Sequence, residues 1–218
     1  MSQLKLETFP MGSFACNCSL VYDDISKEAI IVDPGNDLNG ILTKVQERKL
    51  DVKYLLHTHA HFDHIGCAKC LKDELGSKIL LHREDENLYK ALNQQASMFN
   101  QPPAEVGTID QYLEDEMEFS LNNQNLKDFI KTIFTPGHTE GSCCFYSEIF
   151  SEPILFSGDT LFQNSIGRTD LPGGDFDTIK NSIKKRLYQL PSETKVITGH
   201  GPSTFIHHER KFNPFVSA

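Results

Sequence analysis

The segment Tyr54–Gly66, YLLHTHAHFDHIG, places four groups able to bind a metal within six residues: His59, His61, Asp63 and His64. An apolar run, Tyr54-Leu55-Leu56, leads straight into it. In an extended chain, residues two apart point to the same side, so His59 and His61 can face one cation together. Asp63 and His64 follow at the turn into a helix and can reach a second position nearby. Imidazole and carboxylate are donors that zinc and related metals take. Three later segments carry the same kind of signal: Thr135-Pro136-Gly137-His138-Thr139, Phe156-Ser157-Gly158-Asp159-Thr160 and Ile197-Thr198-Gly199-His200-Gly201. Each sets a ligand-type residue beside glycine at the end of a short apolar run. Glycine lets the backbone turn sharply and approach a crowded site, and a rigid sheet commonly carries its functional groups on loops at strand ends. Singly these segments are ordinary turns. Together with the His/Asp cluster they describe a two-metal site made of His59, His61, Asp63, His64, His138, Asp159 and His200, suited to metal-dependent hydrolysis. The chain has no G-x-S-x-G nucleophile elbow.

Elements that would position these residues are visible as short apolar runs alternating with helical patterns. Strands are expected at Ser19–Asp23, Ala29–Asp33, Val52–His57, Lys78–Leu81, Phe129–Thr135, Ser142–Tyr146, Ile154–Ser157 and Lys195–Thr198. Helical stripes run through Leu38–Leu50 and Ile65–Leu75, through Arg83–Leu92, and along Phe176, Ile179, Ile183 and Leu187. Between Asn93 and Leu126 the pattern is less regular and includes the acidic run Glu114–Glu118. That stretch reads either as a solvated excursion or as a lid over the substrate, since long excursions in compact domains are often functional. Strands and helices mix throughout, so the class is α/β or α+β in one domain covering residues 1–218.

Bulk properties narrow the partners. Apolar residues make up 39 % of the 218, enough for a sizeable core, and the net charge is −9. An acidic chain argues against a nucleic-acid binder, which usually carries a basic face. No stretch approaches the roughly 18 apolar residues of a membrane span, and the N-terminus lacks a basic stretch followed by an apolar run. A cytosolic location without membrane or nucleic-acid partners is therefore expected. The six cysteines fall in three close pairs, Cys16/Cys18, Cys67/Cys70 and Cys143/Cys144, and in that compartment are expected as reduced thiols. Cys67-x-x-Cys70 also has the spacing of a redox motif or half a zinc site, but no second such pair accompanies it.

On these motifs the sequence resembles the metallo-β-lactamase fold superfamily, and within it the glyoxalase II (hydroxyacylglutathione hydrolase) group. The resemblance extends from Asn17-Cys18-Ser19-Leu20-Val21 and Val32-Asp33-Pro34-Gly35 through the metal motif and the TPGHT and SGDTLF segments. It continues through Ile166–Asp175, IGRTDLPGGD, to GHGP and Glu209–Phe215. It implies a four-layer αββα sandwich with two divalent metals at one edge. His59, His61 and His138 would hold the first metal and Asp63, His64 and His200 the second, with Asp159 bridging. Zinc fits such ligands best, while iron or manganese can occupy the same site. The reaction implied is attack of a metal-bridging hydroxide on a thioester carbonyl, as in S-D-lactoylglutathione or a related acyl-glutathione. Asp63 would orient that hydroxide or manage its proton besides ligating.

Asp33 reads as a carboxylate behind the ligands or as a turn cap before Pro34. Arg168 reads as a contact to a substrate carboxylate or as an ion-pair partner of Asp170 or Asp175. His57 reads as a strand residue, and His82, His207 and His208 lie outside the constellation. Only eighteen residues follow His200, so the C-terminal helical domain of glyoxalase II, which supplies much of its glutathione pocket, is not expected here. Competing readings are a persulfide dioxygenase with a single iron in the same fold, a lactonase, β-lactamase or nuclease, and a metal-binding protein without turnover.

Overall fold

Strands buried on both faces read as nearly unbroken apolar runs, because neither face meets water. In the computed structural model, which describes residues 4–121 and 130–217, these runs form two six-stranded sheets. The first sheet has the order β1 (Leu4–Met11), β2 (Cys16–Asp23), β3 (Glu28–Val32), β4 (Asp51–Leu56), β5 (Lys78–His82) and β6 (Gln111–Leu113). Its first three strands form an antiparallel meander and β3 to β6 run parallel. The second sheet contains β7 (Glu118–Phe119), β8 (Ile130–Phe134), β9 (Cys143–Ser147), β10 (Ile154–Gly158), β13 (Lys195–Thr198) and β14 (Thr204–Phe205). There β10 and β13 are parallel and the other neighbours antiparallel. A small hairpin, β11 (Leu161–Phe162) and β12 (Ser165–Ile166), follows β10.

The two-residue period of a strand divides these apolar runs among three cores. In β3, Ala29 and Ile31 point to one core and Ile30 and Val32 to another; in β9, Cys143 and Phe145 part from Cys144 and Tyr146. The middle core lies between the sheets. The outer core of the first sheet is closed by α1 (Leu38–Arg48) and α3 (Ala68–Leu75), through Ile41, Val45 and Leu71. That of the second sheet is closed by α6 (Phe176–Lys185) and α7 (Ile206–Phe212), through Ile179, Ile183 and Ile206. The layers are helix, sheet, sheet, helix, as the resemblance implied. The same alternation sends the Cys143 and Cys144 thiols to opposite faces, and all six cysteines are free.

Several boundaries differ from the sequence reading for local reasons. Helix α1 starts where the Asp37 carboxylate accepts from the Gly40 amide (3.0 Å) and ends at Arg48, because Lys49 turns left-handed. The expected helix Ile65–Leu75 is two helices, α2 (Phe62–Ile65) and α3, separated at Gly66-Cys67, so the first lies within the ligand motif itself. The expected helix Arg83–Leu92 is a 3-10 turn, Arg83–Asp85, followed by α4 (Glu86–Lys90), and α5 (Leu92–Met98) begins beyond it. The stretch Asn93–Leu126 is more than an excursion: it contributes most of α5, and β6 and β7 each extend an edge of one sheet. Its residues 122–126 lie outside the described residues, as does Phe129, the expected first residue of the strand that becomes β8.

Candidate metal centre

All seven ligand-type residues meet at one edge of the sandwich. His59, His61, Asp63 and His64 follow β4; His138 follows β8; Asp159 and His200 follow the parallel pair β10 and β13. Their donor atoms form three overlapping groups: His59, His61 and His138; His59, His64 and Asp159; and Asp63, His64 and His200. Within each group the donor atoms lie within 4.8 Å of one another. Asp159 stands between the subsites, with Oδ2 3.6 Å from His138 Nε2 and Oδ1 3.3 Å from His64 Nε2. Asp63 Oδ2 is 3.2 Å from His200 Nε2.

The partners of the outward ring nitrogens decide which nitrogen faces the centre. His138 Nδ1 donates to the Arg168 carbonyl (2.8 Å), His200 Nδ1 to the Phe14 carbonyl (2.9 Å) and His64 Nδ1 to Asp33 Oδ2 (3.0 Å). The Thr58 hydroxyl donates to Asp33 Oδ2 (2.6 Å) and so accepts from His59 Nδ1 (3.0 Å). Each of these four rings therefore turns its Nε2 inward, its orientation fixed from behind as metal-ligating histidines require. His64 Nε2 and His200 Nε2 then face each other at 3.1 Å, and His138 Nε2 lies 3.0 Å from His61 Nδ1. His59 Nε2 and Asp159 Oδ1 are buried without a hydrogen-bond partner. Buried polar atoms left unpaired are costly, and a cation held by these groups would satisfy them. The residues present fit a metal pair.

The electrostatics agree. Burial, reinforced by the neighbouring imidazoles, holds His59 well below the ordinary histidine range. Burial and His138 push His61 down to about 3. These rings stay neutral and available as ligands. At His64 burial works against charge, yet Cys16, Asp159 and Asp33 outweigh it and raise the pKa well above the usual value. The pocket thus favours positive charge where the second metal would sit.

Glycine is required where the loops meet. A Cβ at Gly199 would lie 2.0 Å from Asp159 Oδ1 and 2.9 Å from His64 Cε1. Asp33 reaches behind two ligands by adopting a left-handed backbone (φ 49°), a conformation that a short carboxylate side chain tolerates better than most.

With this geometry in view, comparison with known proteins is decisive. A sequence model described as the metallo-beta-lactamase superfamily matches residues 11–200. The chain belongs to this superfamily. A hydroxyacylglutathione hydrolase GloC from Haemophilus influenzae is 36 % identical over 217 residues, covering 99 % of each chain. A crystal structure of BLEG-1 B3 metallo-beta-lactamase is 35 % identical with a TM-score of 0.87, and the match covers 98 % of this chain and 100 % of that one. A crystal structure of TTHA1623 in a di-iron-bound form is 33 % identical with a TM-score of 0.84, covering 94 % and 98 %. The protein is a metallo-hydrolase of this superfamily, and its His/Asp cluster fits metal binding.

This superfamily member also uses residues that motif reading did not single out. The Asn17 amide donates to the Thr198 and Gly201 carbonyls (both 2.9 Å), and its backbone N–H donates to the Gly199 carbonyl (2.7 Å), clamping the His200 loop to β2. Gln95 of α5 accepts from the Phe62 N–H (3.2 Å) and donates to the Ala60 carbonyl (3.1 Å), bracing the His/Asp loop. Asp85 accepts from Ala60, Thr139 and Gly141. These residues lie far in sequence from the loops they hold, so spacing carries no sign of them. The Arg168 guanidinium is paired with Asp170 (2.8 Å), while its carbonyl orients His138. His57 is buried with Nδ1 on the Leu80 carbonyl (3.0 Å). His82 stacks on Phe134, and His207 and His208 lie beside Ser192 and Asn164, away from the cluster.

Proposed function

We propose that the protein is a dinuclear metal-dependent thioester hydrolase acting on an acyl-glutathione such as S-D-lactoylglutathione. The observation that carries the reading is the convergence of five imidazoles and two carboxylates into two subsites that share Asp159. His59, His61 and His138 would hold one metal, Asp63, His64 and His200 the other, and Asp159 both. Zinc suits these nitrogen and oxygen donors, and the di-iron form of the relative TTHA1623 brings iron into consideration. Such a metal pair, when bound, supplies an activated water and polarises the carbonyl that it attacks.

The chain's own groups do the rest. Asp63, in the first turn of α2 with Oδ2 3.2 Å from His200 Nε2, would take the proton released from the attacking water. Asp33, Thr58 and the Arg168 and Phe14 carbonyls hold Nδ1 of His64, His59, His138 and His200 and so aim each Nε2 at the centre. No side chain of the site is a ready covalent nucleophile: Cys16, whose Sγ lies 3.5 Å from His64 Nδ1, is buried, and burial pushes its thiol up to about 11. The choice of acyl-glutathione rests on the likeness to the hydroxyacylglutathione hydrolase GloC.

The likeness to BLEG-1 favours a second reading, hydrolysis of a β-lactam amide at the same centre. Purified protein assayed with S-D-lactoylglutathione and with a chromogenic cephalosporin separates the two. Chelator-sensitive turnover of the thioester in clear preference to the lactam is expected. The reverse preference would replace the thioesterase reading with the lactamase one.

A further inference from the structure

Two buried acids, Asp33 and Asp85, stand behind the ligand loops. Asp85 is 1 % exposed and lies in the 3-10 turn after β5, away in sequence from every ligand. Its Oδ2 accepts from the Ala60 N–H and from the Thr139 hydroxyl (both 2.9 Å), and its Oδ1 accepts from the Gly141 N–H (2.7 Å). Ala60 separates His59 from His61, and Thr139 follows His138. One carboxylate therefore ties together the two loops that carry all three imidazoles of the first subsite. No Lys, Arg or His among the described residues forms an ion pair with it. The approach is close enough that a Cβ at Gly141 would lie 2.7 Å from Asp85 Cγ. Asp33 stands behind one ligand of each subsite, holding His64 directly and His59 through the Thr58 hydroxyl.

We propose that Asp85 is the positioning residue of the His59/His61/His138 subsite, setting the affinity of that subsite for its metal while leaving the Asp63/His64/His200 subsite nearly untouched. The inference rests on the metal-centre reading above. Three donors and no acceptor point at this carboxylate, so only an acceptor-only group satisfies all of them. Asparagine is nearly isosteric but must turn its NH2 toward at least one donor, at the cost of an unsatisfied buried group. The loops would then part, and the three nitrogens would lose the spacing a metal needs. Partners of this kind behind metal ligands are typically worth 10–100-fold in affinity.

The test is titration of metal-free wild-type, Asp85→Asn and Thr139→Val proteins with cobalt(II), read by visible absorption and by metal bound per chain. Wild type should bind two equivalents. Asp85→Asn should bind one as wild type does and the other about 10–100-fold more weakly. Thr139→Val, which removes one donor and keeps the acid, should show a smaller loss at the same subsite. It decides the matter should Asp85→Asn not fold. Asp33→Asn, which loosens His64 directly and His59 through Thr58, should by contrast weaken both subsites. Two wild-type affinities in Asp85→Asn, or equal weakening of both, would overturn the assignment of Asp85 alone. Absence of bound cobalt in the wild type would overturn the metal centre and this inference with it.

Discussion

Asp159 touches both subsites, and each three-residue ligand group is incomplete without its imidazoles. His61→Ala or Asp159→Ala should therefore cut bound metal from two equivalents to at most one. Hydrolysis should fall by more than the 10–100-fold typical of losing a partner behind a ligand. Metal analysis alongside kcat/KM checks this, and full metal with full activity in either variant would contradict the assignment. Gly199→Ala tests the packing of the loops: a methyl group 2.0 Å from Asp159 Oδ1 must displace the carboxylate or the strand end. It should cost about 1–3 kcal/mol in denaturant unfolding together with most of the activity. The seven ligand-type residues were legible because their types and glycine neighbours are rare in combination. Asp33 was legible only as one of two roles, and the structure shows it behind the ligands. Asp85, Asn17 and Gln95 were illegible as supports, because their partners lie 25 or more positions away along the chain.

At the scale of elements, β2 to β5 and α1, α3 and α6 were readable from buried apolar runs and helical stripes. β1 escaped because it is a half-exposed edge strand, LKLETFPM, with a proline near its end. β6, β7 and β14 are two or three residues long and take their identity from the sheet edge they join, which no local pattern encodes. α5 and α7 escaped because Gln, Asn, His and charged residues dilute the apolar stripe. The stretch that holds α5 nonetheless reaches the centre: Gln95→Ala should leave the two sheets folded while lowering turnover about tenfold, by freeing the backbone between His61 and Asp63. Unchanged kinetics in this variant would make α5 a bystander. Helix α1 is pinned to β1 by Arg48, which donates through Nε and Nη2 to Glu7 (2.8 and 2.6 Å). The Arg48 hydrogen bonds hold the Glu7 carboxyl below its ordinary pKa. That stabilisation is present above the unfolded carboxyl's pKa and is lost as pH falls through the folded one. Arg48→Ala should therefore cost at most about 1 kcal/mol at pH 7, and the difference from wild type should shrink below pH 4.5. A difference that grows on acidification would contradict the pairing.

For the whole molecule, strand ends from both sheets bring the ligand loops to one edge, and no helix among the described residues is long and apolar enough to cross a membrane. The αββα architecture could be named from the resemblance, but strand order could not, since it depends on pairings between distant segments. At that edge His59 Nε2 and Asp159 Oδ1 are buried without a hydrogen-bond partner, so bound metal should stabilise the folded state. Free metal at 100 times its Kd contributes about 2.7 kcal/mol, and a chelator should lower the melting temperature accordingly. A melting temperature indifferent to chelation would mean that the cluster holds no metal of consequence.

The most direct measurement of the central claim is metal content and S-D-lactoylglutathione hydrolysis on the same purified sample, before and after chelation. The account predicts two equivalents of metal per chain, turnover abolished by the chelator, and recovery on adding metal back. Two equivalents with no thioester turnover would contradict the proposed substrate. A chain that turns over the thioester at full rate without metal would contradict the mechanism.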